Sequence, residues 1–318
     1  MIANWRNILL AFSAPVAFFL LVYGFTVYTS AGVSELVAEY RIYRAVYSML
    51  AGAVLAASGC FLQSSLRNPL VDHYVLGIGS GALFSTYLAA LLWGYSLAVA
   101  PLSAAVGGLA ALALTVLLAE KMSGSDVAYV LAGISVTTLF SGLSLFTYYY
   151  LASKQPFAAS LLLAGSFALS RPQQLPYVLA SLALAAAGYV LLSKKLNALA
   201  LGDEHASQLG VDPRLARLAS STIAGVASSV LVSLFGLVGF IGLVSPHVAR
   251  FVLKTGDNRL VVPTAMFFGM AFLYSADAFS RYVAAPLWGE VPAGSIVSLI
   301  GAPFFAALLV SRFSRRLA

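Results

Sequence analysis

Apolar side chains run along this chain in repeated stretches of about 20 residues, with polar residues gathered between them. The stretches fall at about 8–28, 45–65, 74–93, 97–119, 127–150, 175–193, 218–237, 240–254, 261–280 and 293–311. A helix of about 20 apolar residues crosses roughly 30 Å of hydrocarbon, so the pattern predicts ten membrane spans. A further apolar but interrupted region, 156–170, predicts a partial helix on one face. The first run follows Arg6, is longer than a usual signal-peptide core and ends without a clear small-x-small cleavage site, so it reads as a first span. The expected class is an all-α polytopic membrane protein, with residues 1–318 forming a single transmembrane domain.

Small residues punctuate the runs in "AGAVLAASG" (51–59), "GIGSGA" (77–82), "AAVGGLAA" (104–111) and "STIAGVASS" (221–229). They let helix backbones approach closely, and dispersion then holds helices together in lipid. Two runs are broken. In "SLRNPLVDHY" (65–74) Pro69 lacks an amide donor and pushes Asn68 out of the helical region, and "GFIGLVSPHVARF" (239–251) carries Ser245–Pro246 within or beside a span. Each break follows the first helix of a four-helix set, 45–150 and 218–311, and the two sets run in opposite directions. That predicts an inverted repeat.

Composition agrees and narrows the class. Of 318 residues 61% are hydrophobic and 9% charged, with mean hydropathy +0.92, where a soluble domain carries roughly 25% charged residues. The net charge of +7 lies singly or in short groups at segment ends, such as Lys194–Lys195 and Arg312, Arg315 and Arg316. This is a topology signal, not a stripe for nucleic acid. With both termini cytoplasmic, thirteen basic residues face inward and five (Arg41, Arg44, Lys154, Arg171 and Arg281) face outward. One cysteine, Cys60, excludes an intrachain disulfide and a multi-cysteine metal site.

The densest charge falls at 201–218, "LGDEHASQLGVDPRLARL". Asp203 suits an N-cap, "EHASQL" a short helix and Gly210 its end, while Asp212–Pro213 is a second start with proline at the first helical position. No Walker A motif, H-E-x-x-H or Cys/His cluster exists in the sequence, and His73, His205 and His247 stand apart as isolated polar or packing residues. A transporter built this way draws energy from another chain or from an ion gradient. It carries no catalytic group and no metal site of its own.

Four ordered blocks resemble ABC importer permeases for iron chelates, haem and vitamin B12. They are "SGCFLQSSLRNPLVDHYVLGIGSGA" (58–82), "LALGDEHASQLGVD" (199–212), "GFIGLVSPHVAR" (239–250) and "GEVPAGSIVSLIGAPFFAALL" (289–309). The family's external R-x-PR stands here as "RIYR" (41–44), and His73 replaces a common proline. The resemblance implies a homodimer in the cell membrane with a pathway at the dimer interface. Two cytosolic ATPases, which carry the ATP and Mg, would drive it, and an external solute-binding protein would deliver a siderophore complex, haem, cobalamin or molybdate. On the same footing Gly202, Asp203, Glu204, Ala206, Leu209, Gly210, Val211 and Asp212 would couple to the ATPase. Arg41, Arg44 and Arg281 would meet acids on the binding protein. Gln63, Asn68, Pro69, Pro246, His247, Glu290, Pro292, Gly301 and Pro303 fall in blocks expected to shape structure or gating.

Read without the resemblance, Arg41 and Arg44 suit lipid anchoring, and Arg281 an i,i+4 pair with Asp277, which is worth ~0.3–0.5 kcal/mol when exposed. Glu290, with Pro292 and Gly294, suits a helix cap or a gate. The alternative function is an ion-driven secondary transporter, for which Asp277 is the one plausible intramembrane acid. A membrane enzyme lacks any nucleophile–base pair.

The charge asymmetry carries its own test. A cysteine at Ser153 should react with an impermeant thiol reagent added outside intact cells, and one at Ser207 should not. The reverse pattern would invert the topology.

Overall fold

In the computed structural model the described residues are 5–30, 32–122, 124–153 and 156–317. Among them the chain is helical throughout: α1 (Trp5–Thr29), α2 (Glu35–Ser65), α3 (Ile78–Trp93), α4 (Ala100–Met122), α5 (Asp126–Ala152), α6 (Pro156–Ala164), α7 (Leu175–Ala200), α8 (Asp203–Gln208), α9 (Pro213–Phe235), α10 (Ile241–Leu253), α11 (Asn258–Phe279), α12 (Ala285–Trp288) and α13 (Ala293–Leu317). The ten expected spans match α1–α5, α7, α9–α11 and α13, and the partial helix is α6. Lys154, counted above among the outer basic residues, lies outside the described residues.

The largest shifts from the sequence reading have local causes. Helix α2 begins ten residues early, at Glu35, after an extended Ser34. Span three starts at Ile78 rather than 74, because 66–77 is spent on a non-helical return into the bundle. Helix α11 continues through a π turn, Ser280–Ala284, into α12. Where caps were expected at Asp212, the structure has them: its carboxylate accepts from Arg214 N (2.9 Å) and Leu215 N (3.1 Å), with Pro213 at the first position of α9.

Packing follows a doubled pattern. Helix α2 is enclosed by α9, α10 and α11, while α9 is enclosed by α2, α3 and α4. Helices α3, α4 and α5 pack on one another, as do α10, α11 and α13. Each long helix therefore inserts into the other set, the arrangement an inverted repeat produces. Helix α7 packs on both α2 and α9, and α1 lies on α2 and α11. Helices α4, α5 and α7 keep broad apolar faces exposed, surfaces suited to lipid or a second chain.

Small residues make the closest crossings possible. A methyl group on Gly59 of α2 would fall on the backbone of Gly242 in α10, and one on Gly52 would fall on Gly269 of α11. Gly142, in α5, has open space beside it. Gly59→Ala should therefore destabilise the protein by an amount typical of overpacking, about 1–3 kcal/mol, seen as a lower melting temperature in detergent. Gly142→Ala should leave it unchanged or slightly raised.

Candidate functional site

Two breaks meet inside the bundle. The connection 66–77 buries Asn68, Asp72 and His73 completely, which non-helical backbone in a membrane tolerates only if its polar groups find partners. Asn68 Oδ1 accepts from Leu70 N (3.0 Å), and Asp72 Oδ1 accepts from Tyr74 N (3.0 Å) and Val75 N (2.8 Å). Thr115 donates to Leu76 O (2.8 Å) and Thr137 to Tyr74 O (3.3 Å). The second break, 236–240, is met by His73 Nε2 at Val238 O (3.0 Å). Backbone bonds from Leu237 N to Leu162 O (3.1 Å), Ser166 N to Phe235 O (2.8 Å) and Gly294 N to Gly165 O (2.8 Å) tie it to the end of α6 and the start of α13.

These segments wall an open cavity of about 700 Å³. Tyr74 forms one side, Leu163 and Ala164 another, and the α13 face with Ser295, Ser298, Leu299 and Ala302 a third. No charged residue lines it among the described residues. Of the motif residues, Pro303 reaches the cavity, while Gly301 is buried against Phe240. Gln63 instead crosslinks helices: its Nε2 donates to Gly242 O (3.1 Å) and its Oε1 accepts from Arg250 Nη1 (2.6 Å). Pro246 is buried inside α10, and His247 Nδ1 contacts Leu243 O at 2.8 Å with its ring beside Phe304. Pro69 is half-buried in the first break.

One end of the bundle, where α2 begins and α11 ends, holds a largely buried ion cluster. Arg44 Nε donates to both Asp277 oxygens (3.0 and 3.1 Å), Nη2 donates to Oδ1 (2.7 Å), and Nη1 donates to Tyr40 Oη (2.7 Å). Glu290 Oε1 lies 2.5 Å from Arg44 Nη2. Arg281 Nε sits 3.0 Å from Asp277 Oδ2 as a charge pair but is misaligned for a hydrogen bond, and its Nη2 is buried without a hydrogen-bond partner. Arg44, expected on the docking surface, is 2% exposed, its guanidinium drawn inward by buried Asp277. Arg281, at 11% exposure, is largely covered too, so the small value for an exposed pair does not apply to it. Arg41 is half-buried, and Pro292 follows Glu290 in a loop whose Val291 carbonyl accepts from Ser280 Oγ.

The opposite end carries α8. Asp203 is not its N-cap: Gly202 holds that place at φ 108°, and the Asp203 carboxylate turns to Arg217, with Arg67 Nη2 at 3.5 Å. Arg217 Nε also donates to Ser65 O (3.0 Å). Arg217's hydrogen bond, aided by the charges of Arg217 and Arg67 against partial burial, holds the Asp203 carboxyl below its ordinary value. A depressed folded value means the clasp contributes fully above the unfolded pKa of about 3.9 and is lost as pH falls through the lower folded value. Gly210 has φ 75°, with Val211 N bonded to Ala206 O (2.9 Å) and Gly210 N to Ser207 O (3.0 Å), a glycine-terminated helix end. Ala206 is buried, Glu204 is exposed, and Leu209 stands 63% exposed beyond it.

Sequence reasoning missed Arg67, Arg217 and Tyr40 as partners. Charge scarcity was the available signal for the first two, since an acid in so apolar a chain must find a base nearby. Nothing local links Arg44 to Asp277, which lie 233 positions apart.

The FecCD transport family matches residues 4–311. The cobalamin import system permease protein BtuC of Halobacterium salinarum is 31% identical over 98% of this chain and 81% of its own length. The Fe(3+) dicitrate transport system permease protein FecC of Escherichia coli is 34% identical over 87% of this chain and 83% of its own length. A solved metal-chelate type ABC transporter in an inward-facing conformation superposes with TM-score 0.75 at 26% identity, covering 94% of this chain and 99% of that one.

The buried pair offers a clean energetic test. Arg44→Ala leaves Asp277 with Arg281 as its charge partner but without the hydrogen bonds of the Arg44 guanidinium, and should cost about 3–5 kcal/mol. Arg44→Met with Asp277→Leu should recover only part of that in denaturant unfolding of the detergent-solubilised protein, because it removes two buried charges but leaves Arg281 without its carboxylate.

Proposed function

This chain belongs to the FecCD transport family, and from that premise we propose that it is the membrane permease of an ATP-driven importer for an iron chelate, haem or cobalamin. It works as a homodimer by alternating access, with both termini in the cytoplasm. Each copy docks one ATPase at α8, and a solute-binding protein delivers the ligand outside. The single observation that carries the coupling assignment is the exposed helix α8. A short helix with a glycine-held bend presents Leu209 to water, and Leu201 and Leu215 are exposed at its flanks. Apolar side chains clustered on a polar face suit a protein partner.

The named relatives support the ligand range, since one handles cobalamin and another ferric dicitrate. The uncharged cavity wall fits passage of a bulky ligand whose specificity is read by the external protein. Arg41 is the remaining outer arginine of the "RIYR" stretch with a half-exposed side chain, and it steers an acidic docking face. An ion-driven mechanism is not favoured, because Asp277 is already ion-paired with Arg44 and Arg281.

Leu209→Arg places a charge in the contact, where an unpaired desolvated charge costs several kcal/mol. Gly210→Val forces a β-branched residue to φ 75°. Both variants should insert and still bind the external protein. Both should lose ATPase co-purification and stimulated ATP hydrolysis in reconstituted membranes. Wild-type association in both would remove α8 as the coupling element.

A further inference from the structure

The cytosolic clasp and the cavity wall are the two ends of one short stretch of chain. Arg67 contacts Asp203 at the base of α8, and seven residues later Tyr74 lines the cavity. We propose that residues 67–74 form a rigid rod that carries movement of α8 to the cavity wall, with Tyr74 and Phe240 as its working end. The proposal rests on the reading that α8 docks an ATPase.

Rigidity is the first argument. The segment is fixed by bonds to its own side chains at Asn68 and Asp72 and to α5 through Thr137 at Tyr74 O, and the chain just beyond it is held to α4 by Thr115 at Leu76 O. A segment so bonded moves as a piece, since bending it would break these backbone bonds. At its base, Asp203, Arg67 and Arg217 are 47%, 45% and 30% exposed, so each pair contributes little strength. Their value is placement: Asp203 joins α8 to the rod through Arg67 and to α9 through Arg217. Arg217 also holds the end of α2 at Ser65 O.

The working end supplies an element able to take two positions. The Tyr74 ring packs tilted against Phe240 with centroids 5.6 Å apart, and the Phe240 ring in turn lies 6.5 Å from that of Phe305 of α13. Phe240 has φ 65°, a left-handed conformation disfavoured for an aromatic residue and characteristic of switch positions. Gly301 of α13 has no room for a methyl group against the Phe240 side chain. Displacement of Tyr74 therefore pushes on Phe240, and Phe240 pushes on the helix that lines the cavity. A shift of Phe240 to negative φ relieves its strain and gives the wall a second arrangement.

The test uses the permease purified with its ATPase and a cysteine at Ser298 in the cavity wall. Native Cys60 is fully buried. The rate of Ser298→Cys labelling by a water-soluble maleimide is measured with and without ATP and vanadate. The otherwise unmodified complex and Tyr74→Phe, which keeps the ring, should change rate on nucleotide trapping by about fivefold. Tyr74→Ala and Arg67→Ala should lose that response while the ATPase still co-purifies. Arg67 is exposed enough that its variant tests the rod even if Tyr74→Ala fails to assemble. Full nucleotide response in Arg67→Ala, or in an assembled Tyr74→Ala, overturns the rod. So does a wild-type complex whose wall ignores nucleotide. Failure of the wild-type chain to bind an ATPase instead removes the docking premise.

Discussion

Backbone polar groups in a membrane must be paired within the protein, and this fold depends on how two interrupted helices meet that demand. The connection 66–77 turns its carbonyls and amides toward Asn68, Asp72, Thr115 and Thr137, and the break at 236–240 closes on α6 and α13. His73 joins one break to the other at Val238. Without these bonds neither segment could leave the helical ladder, and the cavity walled by the two breaks, α6 and α13 would not form.

Charge is handled with similar economy. The described ion pairs collect at the two ends of the bundle: Arg44, Asp277, Arg281 and Glu290 at one, and Asp203, Arg67, Arg217, Asp257 and Arg259 at the α8 end. In the first, Arg44, Asp277 and Arg281 are largely buried, so its worth lies in fixing α2 to α11 and to the loop before α13 more than in net stability. The α8 cluster is more exposed, so each of its pairs is weak. Asp257, which caps α11, is pulled to about 2 by the Arg259 hydrogen bonds, so that cap holds throughout the physiological range.

The cavity sits where these constraints converge. Its walls come from both breaks, from the end of α6 and from α13, so a displacement of any one of them reshapes it. Glycines at the crossings of α2 with α10 and α11 keep the supporting helices too close to slide independently. A rigid frame around one adjustable wall is the mechanical arrangement a coupled transporter requires.

Much of this was legible in the residues themselves. Hydrophobic runs marked ten helices, of which six among the described residues are long and apolar enough to cross a membrane, because span length is set by bilayer thickness. Pro69 marked the first broken region, because proline removes an amide donor, and Gly210 marked the bend of α8, because only glycine takes its φ without strain; Pro246 did not mark the second, since it lies inside α10 and the break falls at 236–240. The charged loop at 201–218 announced its exposure by composition. What the chain order could not show was which distant groups would meet. Arg44 reads as an outer basic residue until Asp277 is folded beside it, and Asp203 reads as a cap until Arg217 claims its carboxylate. Local signals act over one or two helical turns, whereas burial and ion pairing are settled by helices far apart in sequence. Tertiary structure alone therefore decided that Arg44 is buried against Asp277 and that Tyr74, seven residues from the Arg67–Asp203 pair, faces the cavity.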